Sequence, residues 1–323
     1  MLERTIRGIV AMEKCSDLLY TGLRQISEDK PWNEIKKSFD KVKQHILFGD
    51  CDLNESELLT FYHFHSKICL YFDQYTEAEY YARRAIGIEK RNQDYDHLAS
   101  TGSVLLDTLN AMNRPAEAIR ISGELLDLCK ESERLHELKA SLCISFYCRG
   151  WVRKASDLAK EVIEFRKKHS TYDYYSSRTC TLYRIHYEGT IHKSPLSLIN
   201  EWYSLERIVH GAYSGCAMEV YLEKAIHLAI GGNVPEALNM CKIIIPVLEK
   251  EGLNYCSDGL GRPYSFYADL LNDSGEKEMA LEYFRKSKDA YSFALGSDNE
   301  YVKRVEGKIL ELANSSGGEI SDE

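Results

Sequence analysis

The residues most able to do chemistry near the start of the chain are two closely spaced histidines. His63 and His65 offer two imidazoles one residue apart. Such alternation places both rings on one face only in a β-strand, whereas the apolar spacing around them is typical of a helix. No third ligand lies nearby in the sequence, so we expect no metal ion at this segment.

Other short motifs for ion, cofactor or nucleophile chemistry fail on particular residues. Residues 50–54 read Asp-Cys-Asp-Leu-Asn and begin like a calcium loop, but Glu55 and Phe61 stand where that loop needs glycine and glutamate. Residues 259–261, Gly-Leu-Gly, lack the third glycine of a dinucleotide fingerprint. The sequence contains no phosphate-binding lysine loop, nucleophile elbow or kinase signature. We therefore expect no cofactor and no enzymatic activity.

Composition limits the partners of the chain. Its 323 residues carry a formal net charge of −9, which repels phosphate backbones and argues against general nucleic-acid binding. The basic segment 152–169 is interrupted by Asp157, Glu161 and Glu164, a pattern typical of a solvated helix face. No segment approaches the roughly 18 apolar residues of a membrane span, and the first residues lack a signal-peptide core. We expect a cytoplasmic protein.

The distribution of the cysteines also favours a cytoplasmic protein. None of them forms a Cys-x-x-Cys pair, and most fall within apolar helical patterns, so we expect buried, reduced thiols rather than a disulfide framework. The ten lie at positions 15, 51, 69, 129, 143, 148, 180, 216, 241 and 256.

An internal repeat defines the elements that must position any functional side chain. Seven segments share a turn, then a polar pair, then a small or apolar anchor residue that opens a helix. The anchors are Ile35, Ala78, Ala118, Ala155, Leu198, Ala237 and Ala280, at intervals of 43, 40, 37, 43, 39 and 43 residues. Positions four and seven residues after each anchor are nearly all apolar or small, which predicts one buried stripe on a helix. Five residues before the anchor, five of the seven segments carry Gly, Asn or Asp, which predicts a left-handed turn between two helices, A and B.

Three segments, 73–85, 232–237 and 275–287, resemble the second half of the tetratricopeptide repeat (TPR) motif. The resemblance extends over roughly residues 10–295. It implies an all-α α-solenoid of about seven antiparallel helix pairs forming a right-handed superhelix. Two differences from the family are a mean period of about 41 rather than 34 residues, and Leu23, Leu106 and His186 where helix A usually carries a small residue.

The end of the sequence has a different pattern. Residues 301–312 carry a single apolar stripe, which predicts a C-terminal capping helix. We take 1–312 as one helical repeat array and 313–323 as a disordered acidic tail.

The resemblance also implies a binding wall, because TPR arrays line their concave groove with helix A. The family's inner-wall positions lie eighteen, fifteen, eleven and eight residues before each anchor. They give the candidate binding residues Tyr20, Arg24, His63, Lys67, Asp107, Asn110, Tyr147, Tyr183, Tyr187, Asp269 and Asn272, with Arg184 beside Tyr183. Such amide, cationic and aromatic side chains suit an extended peptide, although several of the tyrosines could instead pack between helices.

The function implied is a non-catalytic protein–protein interaction module that binds a peptide or partner segment in its groove. The Lys and Asn set with which chaperone-binding members hold a C-terminal carboxylate is missing, since the aligned wall offers Val104, Glu137 and Ser141. The alternative is a TPR-type signalling receptor for a short regulatory peptide. Segment 58–71 resembles sequences of that group of receptors. An enzyme with chemistry hidden in the groove is a third reading. The sequence identifies neither the partner nor the biological process, and it leaves homo-oligomerisation open.

Overall fold

The fold is known from a computed structural model, which describes residues 14–28, 30–169, 176–190, 196–251, 260–295 and 297–316. In those residues the chain is all-α, with fifteen helices and no strand. The helices are α1 (Cys15–Ser27), α2 (Trp32–Phe48), α3 (Glu55–Tyr71), α4 (Tyr75–Asn92), α5 (Tyr95–Ala111), α6 (Pro115–Leu128), α7 (Leu135–Cys148), α8 (Val152–His169), α9 (Ser177–Thr190), α10 (Leu196–Val209), α11 (Gly215–Ile230), α12 (Val234–Glu251), α13 (Gly261–Asp273), α14 (Lys277–Leu295) and α15 (Glu300–Ser316).

Consecutive helices form the predicted pairs. Within the described ranges, α1 to α14 make seven A–B pairs, and α15 follows the last of them. The all-α solenoid prediction is therefore confirmed. None of the helices in these ranges is both long enough and apolar enough to cross a membrane.

The anchor residues explain why the pairs pack. Each anchor lies at the start of a helix B and is buried in six of the seven pairs: Ile35, Ala78, Ala118, Ala155, Ala237 and Ala280. In the fifth pair the predicted anchor is wrong by one residue, because Ile199 is buried and Leu198 is only half-buried. The predicted positions four and seven residues later are buried in all seven pairs, so each helix B presents one apolar stripe to its neighbours.

The turns between helices A and B adopt the predicted backbone. Asp73 and Asn113 have φ of 56°, and Gly150, Gly232 and Gly275 have φ of 73°, 87° and 85°. A left-handed residue at a helix end lets the backbone N–H groups that follow cap the last carbonyls, which stops helix A and reverses the chain.

Close A–B packing in the first and third pairs depends on glycine rather than on the family's small-residue position. A Cβ atom at Gly22 would lie 2.7 Å from the ring of Phe39, and one at Gly102 would lie 2.9 Å from Leu125. Leu106, at the family's small-residue position, is fully buried. The bulky residues therefore do not prevent close packing here, because a neighbouring glycine supplies the room.

The chain divides into two compact units, 1–165 and 166–323, with the boundary inside α8. In unit 1 a series of partly exposed ion pairs joins each helix B to the next, from α2 to α4 and from α4 to α6. The pairs are Lys43–Glu77 at 2.6 Å, Arg83–Glu117 at 2.9 Å and Lys90–Glu124 at 2.7 Å.

The basic segment 152–169 is not wholly a solvated face. Arg166 is buried in unit 2 and donates from Nη1 to Oγ1 of Thr179 at 2.6 Å. The next residue, Lys167, is exposed and lies 2.5 Å from the carboxylate of Glu201. One cation of the segment is therefore a structural part of unit 2 rather than a surface group.

The last helix differs from its prediction in length. Helix α15 continues to Ser316, past the predicted end at Leu312, and packs on α14. The remainder of the predicted acidic tail lies outside the described residues.

Candidate functional site

In unit 1 the A helices α1, α3, α5 and α7 lie side by side, and their outward-facing side chains form what we call the unit 1 wall. Tyr20 on α1 donates its hydroxyl hydrogen to Glu57 on α3 at 3.1 Å, and Lys67 on α3 donates to Ser100 on α5 at 3.2 Å. Tyr20 is 57% exposed. Tyr20 is therefore on the accessible surface of the wall, whereas Lys67 is half-buried and donates to Ser100, which is fully buried.

The remaining predicted residues of the unit 1 wall are accessible to different degrees. Arg24 is exposed, whereas Asp107, Asn110 and Tyr147 are half-buried. The Asn110 amide donates to the backbone oxygen of Ser141 on α7 at 3.4 Å, and its own Oδ1 is buried without a hydrogen-bond partner among the described residues. Because this oxygen is buried, a peptide N–H does not reach it in this conformation.

His63 does not face the wall as predicted. It is 4% exposed, and its Nδ1 lies 2.6 Å from Oγ1 of Thr101, which donates in turn to Oε1 of Glu89 at 2.6 Å. Burial lowers the pKa of His63 to about 2 and raises the pKa of Glu89 to about 7. Although Nδ1 of His63 lies 3.9 Å from Glu89, burial opposes both charges, so we assign a neutral imidazole to this network. The network joins α3, α4 and α5 from within.

The fold assembles potential metal ligands that sequence spacing did not bring together. One ligand atom each from His65, Cys69 and Glu77 lies within 4.8 Å of the others. His65 is fully buried, both of its ring nitrogens lack hydrogen-bond partners among the residues that the structure describes, and burial lowers its pKa to about 4. However, the ammonium of Lys43 lies 2.6 Å from the Glu77 carboxylate and already neutralises it. This cation disfavours a second one at the same oxygen.

A second group of this kind lies in unit 2. It consists of Cys180, Glu206 and His210, again with one ligand atom each within 4.8 Å. Nε1 of Trp202 donates to Glu206 at 2.8 Å. The indole thus satisfies Oε1 of this buried carboxylate, whereas Oε2 has no hydrogen-bond partner among the described residues.

In unit 2 the predicted tyrosines are buried rather than exposed on a wall. Tyr183 is 0% exposed and donates to Glu201 at 2.9 Å, and Tyr187 is 3% exposed. The Tyr187 hydroxyl lies 3.0 Å from Glu223 and 2.8 Å from Nε2 of His227, both on α11. Their placement as ligand contacts is therefore wrong, and both rings pack between helices. Burial raises the pKa of Tyr187 well above its usual range.

The accessible surface of unit 2 is carried by other side chains. Arg184 on α9 is exposed, 3.8 Å from Glu188 on the same helix, and Asn272 on α13 is also exposed. Asp269, one turn before Asn272, is half-buried and paired with Lys308 of α15 at 2.5 Å.

Asp269 belongs to a cleft of about 460 Å³ between α11, α13, α14 and α15, which we call the C-terminal cleft. Its lining consists of Ile226, Arg262, Ser265, Phe266, Asp269, Tyr291, Tyr301, Arg304, Val305 and Lys308. Among these residues only Asp269 is a predicted binding residue, because the sequence pattern predicts α15 as a capping helix. The spacing of Tyr301, Arg304 and Lys308, three and then four residues apart, already places them on one helical stripe and could have identified α15 as a further wall helix.

Comparison by sequence identifies no relative. No protein-family model matches the chain, and no curated protein matches it.

Comparison by structure gives a consistent answer. The apo form of RapI matches with a TM-score of 0.58 and 13% identity, covering 91% of this chain and 99% of RapI. A STAND signal-transduction ATPase with a tetratricopeptide repeat sensor, from Pyrococcus horikoshii, matches with a TM-score of 0.63 and 11% identity, covering 93% of this chain and 44% of that one. The chain has the TPR fold. A Rap protein in complex with Competence and Sporulation Factor also has it, with a TM-score of 0.54, 11% identity and coverage of 96% and 79%. At these identities the likeness concerns the fold alone.

Proposed function

We propose that this TPR-fold chain is a non-catalytic binding module that holds a peptide or a partner segment against its A helices. The observation that carries the proposal is the side-by-side packing of the A helices. It brings exposed Tyr20 and half-buried Lys67 in unit 1, and half-buried Asp269 and Lys308 in unit 2, onto neighbouring helices. Hydrogen-bonding and aromatic side chains along parallel helices are suited to an extended chain.

The more specific form of the proposal is a receptor for a short regulatory peptide. It is favoured because two Rap structures align over 91% and 96% of this chain, and one of them was solved with Competence and Sporulation Factor bound. The nine cysteines in the described residues are all free thiols, in keeping with the reducing cytoplasm that we propose as its location.

The most direct test maps peptide contacts. Peptides that bind the full chain would be selected from a random display library, resynthesised with a photo-reactive group and crosslinked, and the attachment sites located by mass spectrometry. We expect crosslinks on α1, α3, α5 and α7, or on α9, α11, α13 and α15. Crosslinks confined to the B helices, or a library that yields no binder at micromolar concentration, would overturn the proposal.

The same experiment separates the two forms of the proposal. Free peptides of five to ten residues that bind with micromolar or better affinity support the receptor. Binding that appears only when a peptide is displayed within a folded protein supports a module for larger partners.

A further inference from the structure

The C-terminal cleft has a charge opposite to that of the chain. Three cationic side chains, Arg262, Arg304 and Lys308, line it together with one carboxylate, that of Asp269. The chain as a whole carries −9. A local excess of positive charge inside a concave site attracts and orients an anionic group.

The three cations differ in whether they already form an ion pair within the chain. Lys308 lies 2.5 Å and 2.7 Å from the two oxygens of Asp269, and Arg262 lies 2.5 Å from Glu223 on α11. Arg304 is exposed, and among the described residues it makes no ion pair or hydrogen bond through its side chain. Its guanidinium therefore keeps all five N–H donors, a fork that fits a carboxylate through two parallel hydrogen bonds.

Apolar and aromatic groups lie beside the cations. Phe266 is half-buried in the lining, and Tyr301 is exposed and stacks on the ring of Tyr291 with centroids 5.3 Å apart. The volume of about 460 Å³ is within the range of 300–1,000 Å³ that ligand pockets occupy. A ligand that fits both parts of this lining has a carboxylate and an apolar side chain close together.

We infer that the C-terminal cleft binds an acidic peptide segment, with Arg304 as the main contact for a Glu, Asp or C-terminal carboxylate and Phe266 as a contact for a neighbouring apolar side chain. The inference rests on the proposed function and names the ligand chemistry of one part of its surface. Arg262 and Lys308 add to the field while keeping their internal partners Glu223 and Asp269.

A peptide fits the observations better than a nucleic acid. Phosphate binding along a backbone needs a run of several cations, and affinity then depends on the number of phosphates neutralised. Here the only lining cation without an ion-pair partner in the described residues is Arg304, and the chain around it carries −9. One carboxylate beside an apolar group matches a single free guanidinium beside an aromatic surface.

The test uses the full chain and three fluorescent peptides of about ten residues, in which Leu alternates with Glu, Gln or Lys. Fluorescence anisotropy would be measured at low and high sodium chloride. We expect the Glu peptide to bind at least tenfold more tightly than the Gln and Lys peptides, and to lose affinity as salt rises. Equal binding of the Glu and Gln peptides would overturn the inference, as would tighter binding of a single-stranded oligonucleotide.

A matched pair of charge reversals locates the contact. Arg304→Glu should weaken binding of the Glu peptide at least tenfold. Lys303→Glu changes the net charge equally at the adjacent exposed residue, which does not line the cleft, and should change binding less than threefold. Equal losses in both variants would mean that the effect is long-range and that Arg304 is not the contact.

Asp269→Asn should increase the affinity for the Glu peptide rather than reduce it. It removes the carboxylate that occupies Lys308, so the Glu peptide should bind a few-fold more tightly, which damage to the fold would not produce. Unchanged or weaker binding with an unchanged melting curve contradicts the inference. If the Glu peptide binds but Arg304→Glu has no effect, this cleft is wrong while the proposed function stands. If no peptide of either charge or from the library binds, both fail.

Discussion

Replacing Glu89 by Gln isolates the energetic cost of a carboxyl group that the fold buries. Glu89 lies on α4 with 0% exposure, and its Oε1 accepts a hydrogen bond from Thr101 at 2.6 Å. Burial raises its pKa from the usual 4.5 to about 7, although the bond from Thr101 partly opposes the shift. The glutamine amide keeps an oxygen for Thr101 and removes the charge.

The sign and size follow from linkage. Below pH 4.5 the carboxyl is protonated in both the folded and the unfolded chain, so its full contribution to stability is present. Between pH 4.5 and about 7 the unfolded chain loses the proton first, and stability falls as pH rises. The shift from 4.5 to about 7, at 1.36 kcal/mol per pH unit, corresponds to about 3 kcal/mol once both states are ionised.

Urea unfolding at pH 5 and pH 8.5 measures the effect. We expect Glu89→Gln to increase the free energy of unfolding, relative to the unmodified chain, by about 2 kcal/mol more at pH 8.5 than at pH 5. Any constant packing difference between acid and amide cancels in this comparison. Glu124→Gln, at an exposed carboxylate paired with Lys90, is the control and should show almost no such pH dependence. A gain of the same size at both pH values would refute the reasoning.

Four further outcomes are expected. Ala237→Asp places an unpaired carboxylate at a fully buried position and should lower the free energy of unfolding by about 3–5 kcal/mol; a melting temperature within two degrees of the original would contradict this. Gly261→Ala puts a Cβ 2.4 Å from the ring of Tyr291 and should lower the free energy of unfolding by about 1–3 kcal/mol. Urea unfolding measures this, and an unchanged free energy would mean that the ring has moved aside. Peroxide should form a disulfide between Cys15 and Cys51, whose sulfur atoms lie 3.3 Å apart. Thiol counting and peptide mass mapping measure this, and two free thiols after treatment would contradict it. Chelators should leave the melting temperature unchanged, whereas stoichiometric zinc in a tag-free sample would show that a ligand set is occupied.

The helix pairs could be predicted from the sequence because each repeat uses the same local physics. A small or apolar anchor stands where each helix B starts against its neighbour, and Ala78 and Ala118 are fully buried there. Left-handed residues such as Asn113 end helix A in five of the seven pairs. Both signals depend only on residues a few positions apart.

The candidate site was harder to predict, because a helical face depends on register. In the fifth pair the buried residue at the start of helix B is Ile199, although Trp202 and Leu205 keep the predicted stripe, and one residue turns a side chain by about 100° around a helix with 3.6 residues per turn. Counted from Ile199, the inner-wall position fifteen residues earlier falls on exposed Arg184 instead of buried Tyr183. Tyr187 then falls twelve residues before the anchor, the position that packs against helix B.

Contacts between repeats cannot be predicted from residues a few positions apart, but they can be predicted from residues one repeat period apart. Tyr187 contacts Glu223, and Asp269 contacts Lys308, across separations of 36 and 39 residues. Each partner lies about one period away, on the adjacent helix A. Pairing oppositely charged residues one period apart would have identified α15 as a neighbour of α13 in unit 2.

The ion pairs that join α2, α4 and α6 should make unit 1 stiffer, and this contribution should depend on salt. Because Lys43–Glu77, Arg83–Glu117 and Lys90–Glu124 are all partly exposed, about 1 M salt should weaken them, while the apolar contacts between the helices persist. At high salt the spacing between the B helices of unit 1 should therefore vary more. Two spin labels, on α2 and α6, would show a broader distance distribution at high salt, and an unchanged width would mean that these pairs bear no mechanical load.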